Sequence, residues 1–567
     1  MFVFIKIIVF PLQRTSAGNI AREGAERKSF FCTFAKSKAT HMEEMVQRKY
    51  PVGIQTFSEI RKGGYVYIDK TDLMWEMTRM KYVFLSRPRR FGKSLLTTTL
   101  NSYFKGEKAL FEGLKIMPLE KEWKSFPVLH FDLSGARHLP VEGVRGELER
   151  QLADLESVYG SNAVETSPGM RLAGLIKRSS QQTKAQAVVI IDEYDAPLLD
   201  VLHDQERLEA VREVMQEFYQ RLKMCEAMIR FCFITGITKF SQLSIFSTIN
   251  NLKNISLLPK YAAICGITET ELVTDMAVDI RQMSTAFNCS FDEMHALLKQ
   301  QYDGYRFSSQ AEEVYNPFSL MNAFGDKMLS NFWFESGTPT FLIRQMQHFR
   351  TDVTSMERIE ASASSFDQPT ENMEDALPLL YQSGYLTIKE YDRESDSYVL
   401  AIPNKEVRTG LISGLIPAYI GIKRNDTQGF ALRFWKAIRK DDMDLAMEEM
   451  KAFLAGIPYV EGFKEKLKEA AASEGFYEYT FYLIFSMLNV YARTQVKCRG
   501  GRIDFVVQMP ETTYVFELKV NGTAQEALTQ INSKGYYLPY QTEGRRVVKV
   551  GVQFNRDTMT VEDWVMA

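Results

Sequence analysis

Several features that would classify a chain at first sight are scarce here. The six cysteines, at 32, 225, 232, 265, 289 and 498, form no Cys-x-x-Cys pair. That argues against a zinc site or a disulfide framework and fits a reducing, cytoplasmic compartment. Charge of one sign is missing too: 69 Lys and Arg face 71 Asp and Glu, a net of −2. The chain as a whole therefore has no electrostatic footprint for nucleic acid, and only a local basic patch could provide one. No run reaches the roughly 20 apolar residues of a membrane span. The apolar stretch Met1–Phe10 carries only Lys6 as a basic residue, and no clear small-residue cleavage site follows it. It reads as an upstream extension, with the functional chain starting near Met42 or Met45. Low-complexity linkers are absent, so domain boundaries are soft.

What remains is a globular composition, 45% hydrophobic and 25% charged over 567 residues, long enough for two to four domains. Residues 50–265 alternate strand-like and helix-like runs. The strands are Tyr82–Ser86, Val128–Leu133, Ala187–Asp192 and Phe231–Ile237, and the helices include Ser94–Phe104, Val141–Tyr159 and Leu208–Arg230. Such alternation predicts an α/β domain with a parallel sheet, and the apolar run Val188–Ile191 suits a strand buried on both faces. Residues 266–350 and 430–493 read mostly as helix. Between them, a helix at Glu374–Ser383 leads into Tyr385–Tyr391 and Tyr398–Ile402, either a winged-helix-like unit or an ordinary helix-plus-hairpin element. The division expected is an extension at 1–44, a phosphate-loop domain at 45–265, a helical and winged-helix-like region at 266–430 and a C-terminal α/β domain at 431–567.

The most informative stretch is Lys81–Ser94. An apolar strand ends at Ser86, a basic loop follows, and Gly92-Lys93-Ser94 opens a helix. In phosphate-binding loops the backbone N–H groups and helix N-terminus hold the anion, Lys reaches the outer phosphates and Ser ligates Mg²⁺. The usual first glycine is replaced by Arg87. Arg87, Arg89 and Arg90 bring charge that suits phosphates, so the expected nucleotide contacts are Arg87, Arg89, Arg90, Phe91, Gly92, Lys93 and Ser94. A second signature, Val188-Val-Ile-Ile-Asp192-Glu193, ends a buried strand in two acids. Asp192 is placed to hold Mg²⁺ and Glu193 to act as base for an attacking water, although a solvated strand end would look the same. A third strand, Phe231–Ile237, carries Thr235, with Thr238 just beyond it, as candidates to sense a γ-phosphate; Thr235 is preferred.

Together, Tyr50–Phe57, Tyr67–Thr71, Ser86–Ser94, Ile191–Pro197, Thr235–Phe240 and Tyr302–Phe307 resemble the predicted AAA-ATPase-like family of the Bacteroidetes type, over about residues 46 to 567. The resemblance implies a P-loop ATPase fold with Walker A and Walker B motifs, ATP and Mg²⁺ as cofactors, and an Arg-rich loop as the usual form. Sites of this type often take an arginine from a neighbouring copy in a homo-oligomer, and Arg306 is one candidate.

The last residues hold a second constellation. If Pro510-Glu511 is a hairpin tip, Asp504 falls opposite Glu517, roughly 5 Å away across the pair, and Lys519 shares a face with Glu517. Two carboxylates and an amine so gathered suit a metal-dependent phosphodiesterase, with oxygen ligands for Mg²⁺ or Mn²⁺ and Lys519 orienting water. An exposed hairpin face with a salt bridge would give the same residues. The pattern Asp-x12-Glu-x-Lys resembles the PD-(D/E)XK nuclease superfamily, whose domains accompany the family above and have a restriction-endonuclease-like fold. That resemblance implies Asp504, Glu517 and Lys519 as catalytic residues, Gln530 on the following helix near the site, and Glu478 as a further acidic metal ligand, with Glu474 competing. Two functions fit: a nucleotide-binding AAA-like protein whose nucleotide state controls a metal-dependent nuclease acting on DNA or RNA, or a non-catalytic nucleic-acid-binding or regulatory ATP-binding protein on a degenerate nuclease scaffold. Neither involves a membrane.

Overall fold

The computed structural model describes residues 48–199, 201–202, 204–239, 251–335, 340–349, 351–370, 373–420, 424–456, 474–487, 491–542 and 544–567. The expected extension at 1–44 and Phe240 of the fifth motif lie outside them. Five strands form the first sheet: β1 (Tyr82–Ser86), β2 (Val128–Asp132), β3 (Ala187–Asp192), β4 (Ile229–Gly236) and β5 (Lys253–Asn254). They run in the order β2-β3-β4-β1-β5, all parallel. Every residue of β1 and β3 is buried, because side chains alternate between two covered faces. In β1, Val83 and Leu85 pack on one side with Leu100 and Phe104 of α1 (Lys93–Phe104). Tyr82 and Phe84 pack on the other with α2 (Val141–Tyr159), α3 (Pro168–Thr183) and α4 (Gln205–Met224). The helix expected to reach Arg230 stops at Met224. A short turn over Glu226–Met228 follows, and β4 begins at Ile229 because its first residues pair with β3.

The middle region is mainly helical. A two-stranded ladder, β6 (Ile267–Thr268) with β7 (Val314–Tyr315), precedes α5 (Pro317–Asp326), whose start is capped by Asn316 accepting from Ser319 N–H at 3.0 Å. The expected helix and hairpin form as α6 (Leu377–Gln382), β9 (Thr387–Asp392) and β10 (Ser397–Ala401), and a third strand, β8 (Ile359–Ala361), pairs with β10. Arg306 is half-buried, and its guanidinium donates to the Lys389 carbonyl on β9 at 3.0 Å. A long helix, α7 (Lys405–Ile420), leads on toward the C-terminal part.

The C-terminal domain is a mixed sheet of β11 (Tyr491–Cys498), β12 (Gly501–Gln508), β13 (Thr512–Lys519), β14 (Arg546–Asn555) and β15 (Thr560–Met566), in sequence order. The helical reading of residues up to 493 is corrected by β11, which starts at Tyr491 and pairs antiparallel with β12. Only the β13–β14 step is parallel, which requires the crossover helix α9 (Ala524–Lys534). One face of the sheet is closed by α8 (Glu474–Met487), whose Phe481 and Phe485 meet Phe505 and Phe516. The other face is closed by α9, with Ile531 against Ile503, Val506 and Val515. The chain thus comprises a parallel-sheet domain, a helical middle and a mixed-sheet C-terminal domain. Among the described residues no helix is long and apolar enough to cross a membrane.

Candidate functional site

At the C-terminal edge of the first sheet, β1 turns into the basic loop and α1. Gly92 supplies the turn with φ of 87°, a region that only glycine enters freely. Lys93 is buried, and its ammonium donates to the carbonyls of Arg87 at 3.0 Å and Pro88 at 3.1 Å. Burial lowers its basicity, and the charges of Glu193, Asp192 and Asp195 oppose that shift. Above the loop lies a cavity of about 490 Å³, within the range of small-molecule sites. Its lining includes Arg89, Arg90, Gly92, Lys93, Ser94, Arg137 and Glu193 together with Gln55, Tyr67, Phe318 and Asn322. Arg89 and Arg90 are exposed, and the Arg90 guanidinium lies 4.2 Å from the Phe318 ring centre. Thr98 on α1 pins the segment before it by donating to the Gln55 carbonyl at 2.6 Å and accepting from Phe57 N–H at 3.1 Å.

Asp192 ends β3 beside this loop and is almost fully buried. Burial pushes its carboxyl up to about 6, against the hydrogen bond from Ser94 and the Lys93 charge. Its Oδ1 accepts from Glu193 N–H at 2.9 Å. Glu193 itself has φ of 48°, a left-handed conformation that costs energy in a non-glycine residue, and its carboxylate pairs with Arg137 at 3.2 Å. Arg137 was invisible as a site residue in the sequence. It follows β2, and only the fold carries it to β3.

Three expected nucleotide contacts are placed differently. The Arg87 guanidinium does not line the cavity. It is buried and donates to the carbonyls of Ser86 and Ser256 at 2.9 Å, Tyr261 at 3.0 Å and Ala262 at 3.4 Å, with its carbon 4.2 Å from the Phe307 ring centre. Phe91 turns its ring into the core against Tyr305 and Phe307, leaving only its backbone at the cavity. Thr235 does sit on β4, the strand beside β1, opposite Leu85, but its hydroxyl donates to the Leu85 carbonyl at 2.7 Å and it does not line the cavity. Thr238 is no freer, since its hydroxyl bonds Asp195 at 2.7 Å. Asp195 also accepts from the N–H groups of Ile237 at 3.0 Å and Thr238 at 2.6 Å, so it fixes the end of β4 against the acidic strand end.

The second constellation forms where β12 and β13 meet α8 and α9. The β12–β13 ladder runs from Phe505 with Phe516 to Gln508 with Thr513, and Asp504 and Glu517 are the residues just beyond its last pair. Asp504 Oδ2 reaches across to accept from Leu518 N–H at 2.9 Å. Glu517 is 1% exposed. Its Oε1 accepts from Lys519 at 3.0 Å and from the Gln530 amide, while its Oε2 has no hydrogen-bond partner among the described residues. Burial, and then the Asp504 charge, push the Glu517 carboxyl up to about 7, and the Lys519 ammonium opposes them. Asp504 is raised by burial as well.

Among the described residues no three carboxylate, His or Cys side chains converge on one point. Glu478 therefore does not join Asp504 and Glu517 in a preformed cage: its carboxylate is held by the Gln495 amide. Glu474 instead approaches Lys519, at 3.7 Å. The Asp504–Glu517 pair still suits a small hard cation, which needs only one or two carboxylates beside water. The unpartnered Glu517 Oε2 is a buried acceptor that such an ion would satisfy.

The sequence model of predicted AAA-ATPases matches residues 51–246, and that of the PD-(D/E)XK nuclease superfamily matches residues 472–564. The chain is also 32% identical over 535 residues to an uncharacterized protein in the vnfD 5′ region of Azotobacter chroococcum mcd 1, covering 92% of this chain and 99% of that one.

Two outcomes follow from these placements. Lys93→Ala should abolish binding of a fluorescent ATP analogue, whereas Thr235→Val should leave its affinity within about threefold, because the hydroxyl it loses serves Leu85; a large loss in Thr235→Val would restore it to the site. A cation must displace the proton that Glu517 retains up to about pH 7. Mn²⁺ affinity measured by calorimetry should therefore rise about tenfold per pH unit below 7 and level off above, and Glu517→Gln should remove that inflection. In the cation-free protein the raised pKa acts in the opposite sense: its stabilisation is complete below the unfolded value and is lost as pH rises through about 7. A pH-independent Mn²⁺ affinity would contradict the assignment.

Proposed function

The chain belongs to the predicted AAA-ATPase family and carries a C-terminal domain of the PD-(D/E)XK nuclease superfamily, and from that membership we propose that nucleotide bound near Lys93 governs a metal-dependent phosphodiesterase site acting on nucleic acid. ATP would lie with its phosphates over Gly92, Lys93 and Ser94 and with Arg89 and Arg90 alongside. The helix N-terminus, three cations and the loop amides all favour a polyanion there. Mg²⁺ would be held by Ser94 and Asp192 in this site, and Mg²⁺ or Mn²⁺ by Asp504 and Glu517 in the other, supplying charge neutralisation and a more acidic bound water. Glu193 is the group able to accept a proton from an attacking water, but only once it leaves Arg137. In the second site Lys519 is within reach to orient a nucleophile or to offset charge building on a phosphate, and Gln530 holds Glu517 in place. The scattered thiols support a reducing, cytoplasmic setting for this work.

The observation that carries the regulatory reading is a line of contacts from the loop to the carboxylates. Trp333 donates its indole N–H to the Arg89 carbonyl at 3.2 Å and its backbone N–H to Glu406 at 2.9 Å. Glu406 lies two residues before Arg408 on α7, and Arg408 pairs with Glu357 at 2.7 Å. Tyr482 on α8 donates to the same Glu357 at 2.8 Å. Tyr482 is one turn beyond Glu478, whose neighbour in charge is Asp504. These contacts support a route by which a change in the loop backbone would reach the helix that closes the nuclease sheet.

Trp333→Phe keeps an aromatic ring, though a smaller one, and removes the donor to Arg89. In the wild type, ATP should change the rate of Mn²⁺-dependent strand cleavage by a factor of roughly 5 to 150, the usual range for coupled sites; in the variant the factor should fall below about two. An ATP response that survives in the variant would remove this route.

A further inference from the structure

The near-zero net charge hides a local excess. The hairpin of β11 and β12 carries Lys497, Arg499 and Arg502 near its tip, and Lys534 stands where the tip meets the end of α9; all four are exposed. Lys497 and Arg502 are paired across the ladder and so lie on one face. None of the four has a carboxylate partner among the described residues. Arg502 instead donates to the Gln495 side chain at 2.7 Å, and Gln495 holds Glu478. Unpaired cations at a sheet edge repel one another and are ordinarily balanced by acids, so an unbalanced group of four points to an anionic partner.

The tip is also rigid. A Cβ on Gly500 would fall 1.9 Å from the Lys534 carbonyl, so glycine there lets the turn sit directly on the end of α9. Gly501 has φ of 134° and lies under Tyr536. The charges are therefore held in place rather than carried on a loose loop. Their position matters most: Arg502 is two residues before Asp504 on β12, roughly 7 Å along the strand, which is about two base-pair rises along a duplex axis.

We propose that the β11–β12 hairpin is the phosphate-binding surface of this protein, gripping the backbone of a nucleic-acid strand through Lys497, Arg499, Arg502 and Lys534 and laying the next phosphates over Asp504 and Glu517. This rests on the nuclease reading of that carboxylate pair. The grip is to phosphate and sets position rather than sequence, and its strength falls steeply with salt.

The test is fluorescence anisotropy with full-length protein in EDTA, so that no strand is cut, using labelled single-stranded and double-stranded DNA and RNA across a salt series. Relative to wild type, Lys497→Ala/Arg499→Ala/Arg502→Ala should weaken binding of the preferred strand at least tenfold and lessen the log–log salt slope by about 2 to 3. The variant's thermal melting and far-UV circular dichroism should match wild type, showing that it is folded. Unchanged affinity and slope would overturn the hairpin assignment, as would a wild type that binds none of the four strands. The nuclease reading fails separately, if the wild type with Mn²⁺ cuts none of the strands it binds.

Discussion

The buried guanidinium of Arg87 is the constraint on which the nucleotide end of the molecule depends. Removing such a charge from water costs several kcal/mol unless its donors are satisfied. Among the described residues its Nε has no hydrogen-bond partner, and no carboxylate touches it. Four carbonyls and an aromatic face do so instead, and although burial pushes it down to about 10 it remains charged at neutral pH. Those carbonyls belong to β1 and to the segment 256–262, and the aromatic face belongs to the middle region. One side chain therefore fastens the start of the loop to two distant parts of the chain. The carbonyls of Arg87 and Pro88, fixed by that anchor, hold the Lys93 ammonium. A glycine at this position would allow a tighter turn, whereas the arginine replaces flexibility with an internal tether.

The same region is tied a second time. Beyond β4, the Lys239 backbone accepts from Thr370 N–H at 2.9 Å and donates to Gln382 at 2.7 Å, and its ammonium pairs with Asp367. Asp195 holds the end of β4 from the other side. The strand ends that flank the cavity are thus locked to the middle region. That region is in turn locked to α8 through Glu357, Arg408 and Tyr482.

Much of this was legible in the sequence, for identifiable reasons. The first-sheet strands were readable because apolar runs buried on both faces stand out against polar loops. The hairpin register followed from one turn, Pro510-Glu511, since antiparallel pairing leaves no further freedom once the tip is set. Side-chain directions in loops were not legible. Nothing local to Arg87 reveals that its acceptors lie at Ser256–Ala262, and nothing local to Thr235 reveals that Leu85 takes its hydroxyl. Arg137 and Trp333 were missed because each is an ordinary residue in its own segment and gains meaning only through a partner far along the chain, Glu193 or Arg89. Glu478 came from the resemblance alone, and its amide partner Gln495 was hidden because it lies on a strand that had been read as helix at its start.

Both sites hold strained or unbalanced charge, as sites built to receive charged ligands do. Glu193 is held in a left-handed conformation against Arg137, and Glu517 keeps an unpartnered oxygen beside Asp504. The account's central claim is that these two places are energetically one system. Amide hydrogen exchange of the full-length protein, with and without a non-hydrolysable ATP analogue, tests it most directly. The account predicts slowed exchange in Lys93–Phe104 and, with it, altered exchange in Lys405–Ile420 and Glu474–Met487. Protection confined to the segments lining the cavity, with α7 and α8 unchanged, would contradict it.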